Sequence, residues 1–90
     1  MTAPGLPPGA VEPDVVLDCL GRSCPVPVIE LGRALVTAAA GTVVEVVSDD
    51  PAARLDVPAF CRMRGHDYLG ERPRPGGTGF QVRRGPVPPV

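Results

Sequence analysis

Lysine is absent from this chain of 90 residues, and all nine basic side chains are arginines. Neither a lysine Schiff base nor a Walker-type phosphate lysine can exist here. Hydroxyls and imidazoles are scarce as well: with serine only at Ser23 and Ser48 and a single histidine, His66, a Ser-His-Asp triad has little material to draw on. No apolar run approaches the roughly 18 residues of a membrane span. The N-terminus lacks the basic start and apolar centre of a signal peptide, so the reading is a cytoplasmic chain without membrane insertion. Nine basic residues against ten acidic ones leave a net charge of -1, which removes the electrostatic footprint of direct nucleic-acid binding. Three cysteines are an odd number and too few for a disulfide framework, whereas thiols kept reduced in the cytosol are available for chemistry. Thiol chemistry is the option this composition supplies best.

Proline and glycine punctuate both ends. Pro4, Pro7, Pro8 and Pro13, with Gly5 and Gly9, make residues 1–13 read as a flexible arm, because such a density neither propagates a helix nor sustains a sheet ladder. Residues 85–90, Gly-Pro-Val-Pro-Pro-Val, read as a similar tail of polyproline character. The folding unit is then residues 14–84, one domain without internal repeats.

Within it, Val15-Val16-Leu17 with Cys19 and Leu20 reads as a buried strand that stops at Gly21. From Val26 the period changes, with Val28, Leu31 and Leu35 at helical spacing, Ala38 and Ala39 following, and Glu30, Arg33 and Thr37 on the opposite face. This predicts an amphipathic helix ended by Gly41. Thr42 to Val47 reads as a second strand. Ser48-Asp49-Asp50-Pro51 supplies an N-cap carboxylate and a first-turn proline for a second helix, whose early part Pro58 is expected to break or kink, leaving Pro58 to Arg64 as the regular portion. Tyr68-Leu69 and Phe80 to Arg83 read as two more strands joined by a turn containing Gly76-Gly77. The order β-α-β-α-β-β can bury its apolar faces as a two-layer α/β sandwich: a mixed four-stranded sheet with both helices on one face, a parallel pair first and an antiparallel hairpin last.

Gly21-Arg22-Ser23-Cys24-Pro25-Val26-Pro27 lies between the first strand and the first helix, which places Cys24 at or beside the helix N-cap. Pro25 suits the first helical position, and Pro27 sits early enough to be tolerated. The amides of Val26 and Val28 are expected to stay unpaired and, with the helix dipole, to favour a thiolate or persulfide anion, lowering the Cys24 pKa below the free value of about 8.5. The competing reading is a small buried cysteine that merely marks the helix start.

The stretch from Leu17 to Val28, with its Cys24-Pro25-Val26-Pro27, resembles the opening of the TusA/SirA family of sulfur carrier proteins, whose signature is Cys-Pro-x-Pro after a strand and a glycine turn. Ser48-Asp49-Asp50-Pro51-Ala52 and Asp56-Val57-Pro58-Ala59-Phe60-Cys61 are similar to that family's second-helix region, and Gly65-His66 to the start of its third strand. The resemblance covers about residues 14–84 and leaves both arms outside. It implies a two-layer α/β sandwich, a persulfide-carrying role for Cys24 and a framing role for Pro25 and Pro27. It also implies a sulfur-donor protein, a cysteine desulfurase or rhodanese, and a sulfur-acceptor protein. Outlets in such a family include tRNA thiolation, molybdenum-cofactor maturation and sulfur oxidation, and the signature does not select among them. No cofactor is expected. The alternative function is a redox-sensing or regulatory interaction module.

Cys19, alternating with Val15 and Leu17, and Cys61, after Phe60, read as core positions, with a resolving thiol as the sharper alternative for Cys19. His66 reads as a hydrogen-bonded structural residue. A zinc site built from Cys19, Cys24, Cys61 and His66 is disfavoured because two of the four sit inside regular elements. Asp49 and Asp50 read as a helix cap rather than an acid/base dyad, and Arg72, Arg74, Arg83 and Arg84 as a solvated basic face.

Overall fold

A computed structural model describes residues 11–86; the first ten residues of the arm and the last four of the tail lie outside them. The elements follow the order β1 (Val15–Asp18), α1 (Val26–Thr37), β2 (Val43–Ser48), α2 (Ala53–Arg64), β3 (Asp67–Arg74) and β4 (Gly77–Arg83). They form one four-stranded sheet in the order β1-β2-β4-β3. β1 runs parallel to β2 with Leu17 opposite Val46, whereas β4 is antiparallel to both of its neighbours, with Phe80 opposite Val46 and Glu71. The mixed two-layer sandwich read from the sequence is the fold observed.

The strand period of two sorts the sheet into two faces. Val44, Val46, Phe80 and Val82 point to the helix side and are buried against Leu31 and Leu35 of α1 and Ala53, Val57 and Cys61 of α2. Burial of these groups is the main favourable term of the fold, at roughly 25 cal/mol per Å² of apolar surface. α1 ends at Thr37 with an extended Ala38, so Ala38 and Ala39 lie outside it and Gly41 serves instead in the turn into β2, at φ 89°. α2 runs through Pro58 without interruption, contrary to the expected break. Its buried stripe of Ala53, Val57 and Cys61 spans the proline, and tertiary packing along that stripe outweighs one lost amide donor. Gly65, at φ 78°, then closes the helix with its amide on the Cys61 carbonyl.

The hairpin strands are longer than the pattern suggested. β3 reads Asp-Tyr-Leu-Gly-Glu-Arg-Pro-Arg and lacks apolar alternation, and a bulge between Tyr68 and Gly70 shifts its register. On the sheet face away from the helices sits Glu45, in a central strand and wholly shielded from solvent. Its carboxylate accepts hydrogen bonds from Arg72 Nε at 2.9 Å, Arg74 Nε at 2.5 Å and Gln81 Nε2 at 2.8 Å. Burial alone would raise this carboxyl, but the bonds from Arg74 and Gln81 and the charge of Arg72 outweigh it, and the net shift is downward. On the same face the Val11 backbone exchanges two hydrogen bonds with the Gln81 side chain, at 3.1 and 2.6 Å.

Candidate functional site

Because β1 and β2 are parallel and each leads into a helix, both helix N-termini lie at the same end of the sheet. The loops that carry Cys24 and the Asp49-Asp50 pair therefore meet there. Asp49 Oδ2 accepts the Gly21 amide at 3.0 Å, and Asp50 Oδ2 accepts the Cys24 amide at 2.8 Å. Asp50 Oδ1 takes the amide of Ala52, the residue immediately ahead of α2, at 2.9 Å. The N-cap of α2 is Ala52, without a side-chain cap, so the pair read as a cap instead pins the β1–α1 loop to the β2–α2 loop. Those two backbone bonds hold the Asp50 carboxyl below its usual range.

Cys24 stands at this junction, half-buried, with Cys24-Pro25 a cis peptide bond. α1 begins at Val26, so Pro25 occupies the N-cap rather than the first helical position, and Pro27 is buried in the first turn. The Val26 amide is not free for the sulfur. It donates to the Ser23 carbonyl at 3.0 Å, while Val28 packs its side chain against the core.

What faces the sulfur is a carboxylate: the Cys24 thiol donates to Asp56 Oδ2 at 2.5 Å, across 32 residues of sequence, from the first turn of α2. Burial, the hydrogen bond to Asp56 and the charges of Asp56 and Asp50 push the thiol up to about 11. The lowered pKa expected from the helix N-terminus is reversed. Pro25 at the N-cap and Pro27 in the first turn remove donors, the Ser23 carbonyl takes the Val26 amide, and anionic oxygens converge where amides were anticipated.

Cys19 and Cys61 are sealed in the core, 2% and 1% exposed, and burial raises both thiols. All three cysteines are free. His66 is buried, with its Nδ1 accepting the Gly85 amide at 3.0 Å and its ring stacked on Phe60. Burial and the neighbouring Arg84 lower its pKa. Among the described residues no group of three His, Cys, Asp or Glu side chains is arranged to hold a metal ion, so the four candidate zinc ligands do not gather. Arg72 and Arg74 are ion-paired with Glu45 rather than forming a free basic face. No helix of the described residues is long and apolar enough to cross a membrane.

Fold and site together define a small α/β domain that presents one accessible thiol where a strand passes into a helix. Residues 15–84 match the Sulfurtransferase TusA family. A Sulfur carrier protein TusA from Pseudomonas putida (strain GB-1) is 38% identical over 72 residues, 80% of this chain and 90% of that protein. A protein of the same name from Pseudomonas entomophila is 38% identical over 71 residues, 79% and 89% of the two chains. The crystal structure of a SirA-like protein from Desulfitobacterium hafniense superposes with a TM-score of 0.62 at 28% identity, covering 79% of this chain and 97% of that one. The chain belongs to the TusA family of sulfur carriers.

Asp56 was the residue that sequence reasoning missed, being noted only within a segment of family likeness. The usable signal was topological: two parallel strands feeding two helices on one face bring the first turn of the second helix beside the start of the first.

Proposed function

We propose that Cys24 is the carrier thiol, accepting sulfane sulfur as a persulfide from a cysteine desulfurase or rhodanese and relaying it to an acceptor protein. The observation that carries this reading is accessibility. Of three free thiols, only the one in the family's Cys-Pro-x-Pro segment stands at the surface, framed by Pro25 and Pro27. Partner proteins complete the reaction. Leu55, next to Asp56 in the chain, and Ile29, in the first turn of α1, leave large apolar side chains in solvent, as a docking surface requires. Unpaired thiols suit a reducing compartment, and a cytoplasmic relay follows from that. Intact mass measured after incubation with a desulfurase and cysteine is expected to rise by about 32 Da, one sulfur, and Cys24→Ser to abolish the gain. Loading that survives in Cys24→Ser and disappears in Cys19→Ser would move the role to Cys19.

A further inference from the structure

Resting on the carrier reading above, we propose that Asp56 is the general base of the sulfur-loading step, taking the Cys24 proton as the thiol captures sulfur. Three carboxylates meet at this end of the sheet, and two are committed to the backbone. Asp49 holds the Gly21 amide, and Asp50 divides its oxygens between the amides of Cys24 and Ala52. Asp56 differs. Its Oδ2 takes the Sγ–H directly at 2.5 Å, and among the described residues Sγ is its one side-chain hydrogen-bond partner. α2 is anchored by the buried stripe of Ala53, Val57 and Cys61, not by this contact. A candidate base must first lie within hydrogen-bond reach of the proton it removes, and Asp56 already does.

In the step itself, Cys24 Sγ attacks the terminal sulfur of the donor's persulfide. A bond forms between Sγ and that sulfur, the donor's S–S bond breaks, and the donor cysteine sulfur leaves with the electron pair. The thiol proton passes to Asp56 Oδ2 and from there to the departing thiolate. One thiol and one persulfide become one persulfide and one thiol, so no oxidant or reductant is consumed. Burial keeps the thiol protonated at neutral pH, and the charged groups acting most strongly on the sulfur, Asp56 from α2 and Asp50 from the β2–α2 loop, add to it. Direct transfer to a touching carboxylate removes the need for a free thiolate, which this surround makes rare.

The test compares the full wild-type chain with Asp56→Asn, using glutathione persulfide as the probe and following the gain of about 32 Da on Cys24 from pH 6 to 8. Asparagine keeps the size of the side chain and removes its basicity, so the variant must wait for thiolate, whose amount rises about tenfold per pH unit. The ratio of wild-type to variant rate, in which the probe's own ionisation cancels, is expected to fall about tenfold per pH unit, from roughly 100-fold at pH 6, within the contribution of a positioned base. A solvent deuterium isotope effect of about twofold on wild-type loading gives a second readout that does not depend on the variant. A ratio independent of pH, a variant as fast as wild type at pH 6, or no isotope effect overturns the role of Asp56 and leaves the carrier reading standing. No sulfur uptake by the wild type overturns both.

Discussion

Glu45→Gln tests whether the carboxylate buried on the reverse face of the sheet stabilises the fold as the geometry implies. The substitution keeps shape and volume. It replaces one accepting oxygen with an NH₂ group that faces the guanidinium donors of Arg72 or Arg74. Removing one partner of a fully buried ion pair costs about 3–5 kcal/mol. Here the side chains of Arg72 and Arg74 keep 14% and 28% exposure, so their free ends reach water. The cost is accordingly reduced to roughly 2–3 kcal/mol. In a domain of this size that is a fall in Tm on the order of 10–20 °C, read by circular dichroism at pH 7. The pH dependence adds a second constraint. The folded carboxyl is shifted down from its unfolded value, so its contribution is fully present above about pH 4.3 and lost as the pH falls through the folded pKa. Wild type and Glu45→Gln are therefore expected to converge as the pH falls below the folded pKa of Glu45. A difference below about 0.5 kcal/mol at pH 7, or a penalty that persists unchanged into acid, would refute the reasoning.

The ultraviolet absorbance of the thiolate, taken as the difference between wild type and Cys24→Ser, is expected to titrate near 11; a midpoint at or below about 8.5 would mean that neither burial nor the carboxylates govern the sulfur. Gly79→Ala is expected to destabilise by about 1–3 kcal/mol in urea melts, because the added methyl runs into the Glu45 carboxylate. Gly32→Ala is the control: the new carbon meets Phe60 only at an ordinary 3.4 Å within α1, and a gain of about 0.5–1 kcal/mol is expected. If both glycine variants lose stability equally, crowding at Gly79 is not the cause.

What the sequence made legible was whatever obeys local periodicity. The apolar run of β2 and the 3.6-residue spacing of Val28, Leu31 and Leu35 identify their elements without reference to anything distant. The position of Cys24 followed from the same local reading, since a glycine turn and two prolines mark where a strand becomes a helix. Properties set by contacts far along the chain were out of reach. Glu45 sits in a valine run and gives no sign that two arginines of β3 enclose it. β3 hides because its polar residues answer to Glu45 and to Glu71's bond with Arg54, not to an apolar face. The sign of the Cys24 shift failed for the same reason: the helix terminus was visible locally, whereas the opposing carboxylate comes from another helix.

The direction of the strands fixes where a reporter can be attached. β4 starts beside Ser48, at the end that carries Cys24, and runs back until Arg83 stands opposite Val43. Gly85 follows, its amide held by His66. At about 3.3 Å per residue, the span from Ser48 to Val43 sets the two ends of the sheet roughly 17 Å apart. A fluorophore or surface linker joined at Pro86 would thus lie at the end remote from the thiol. Binding could then be watched from the C-terminal side while the sulfur-bearing end stays open to its partners.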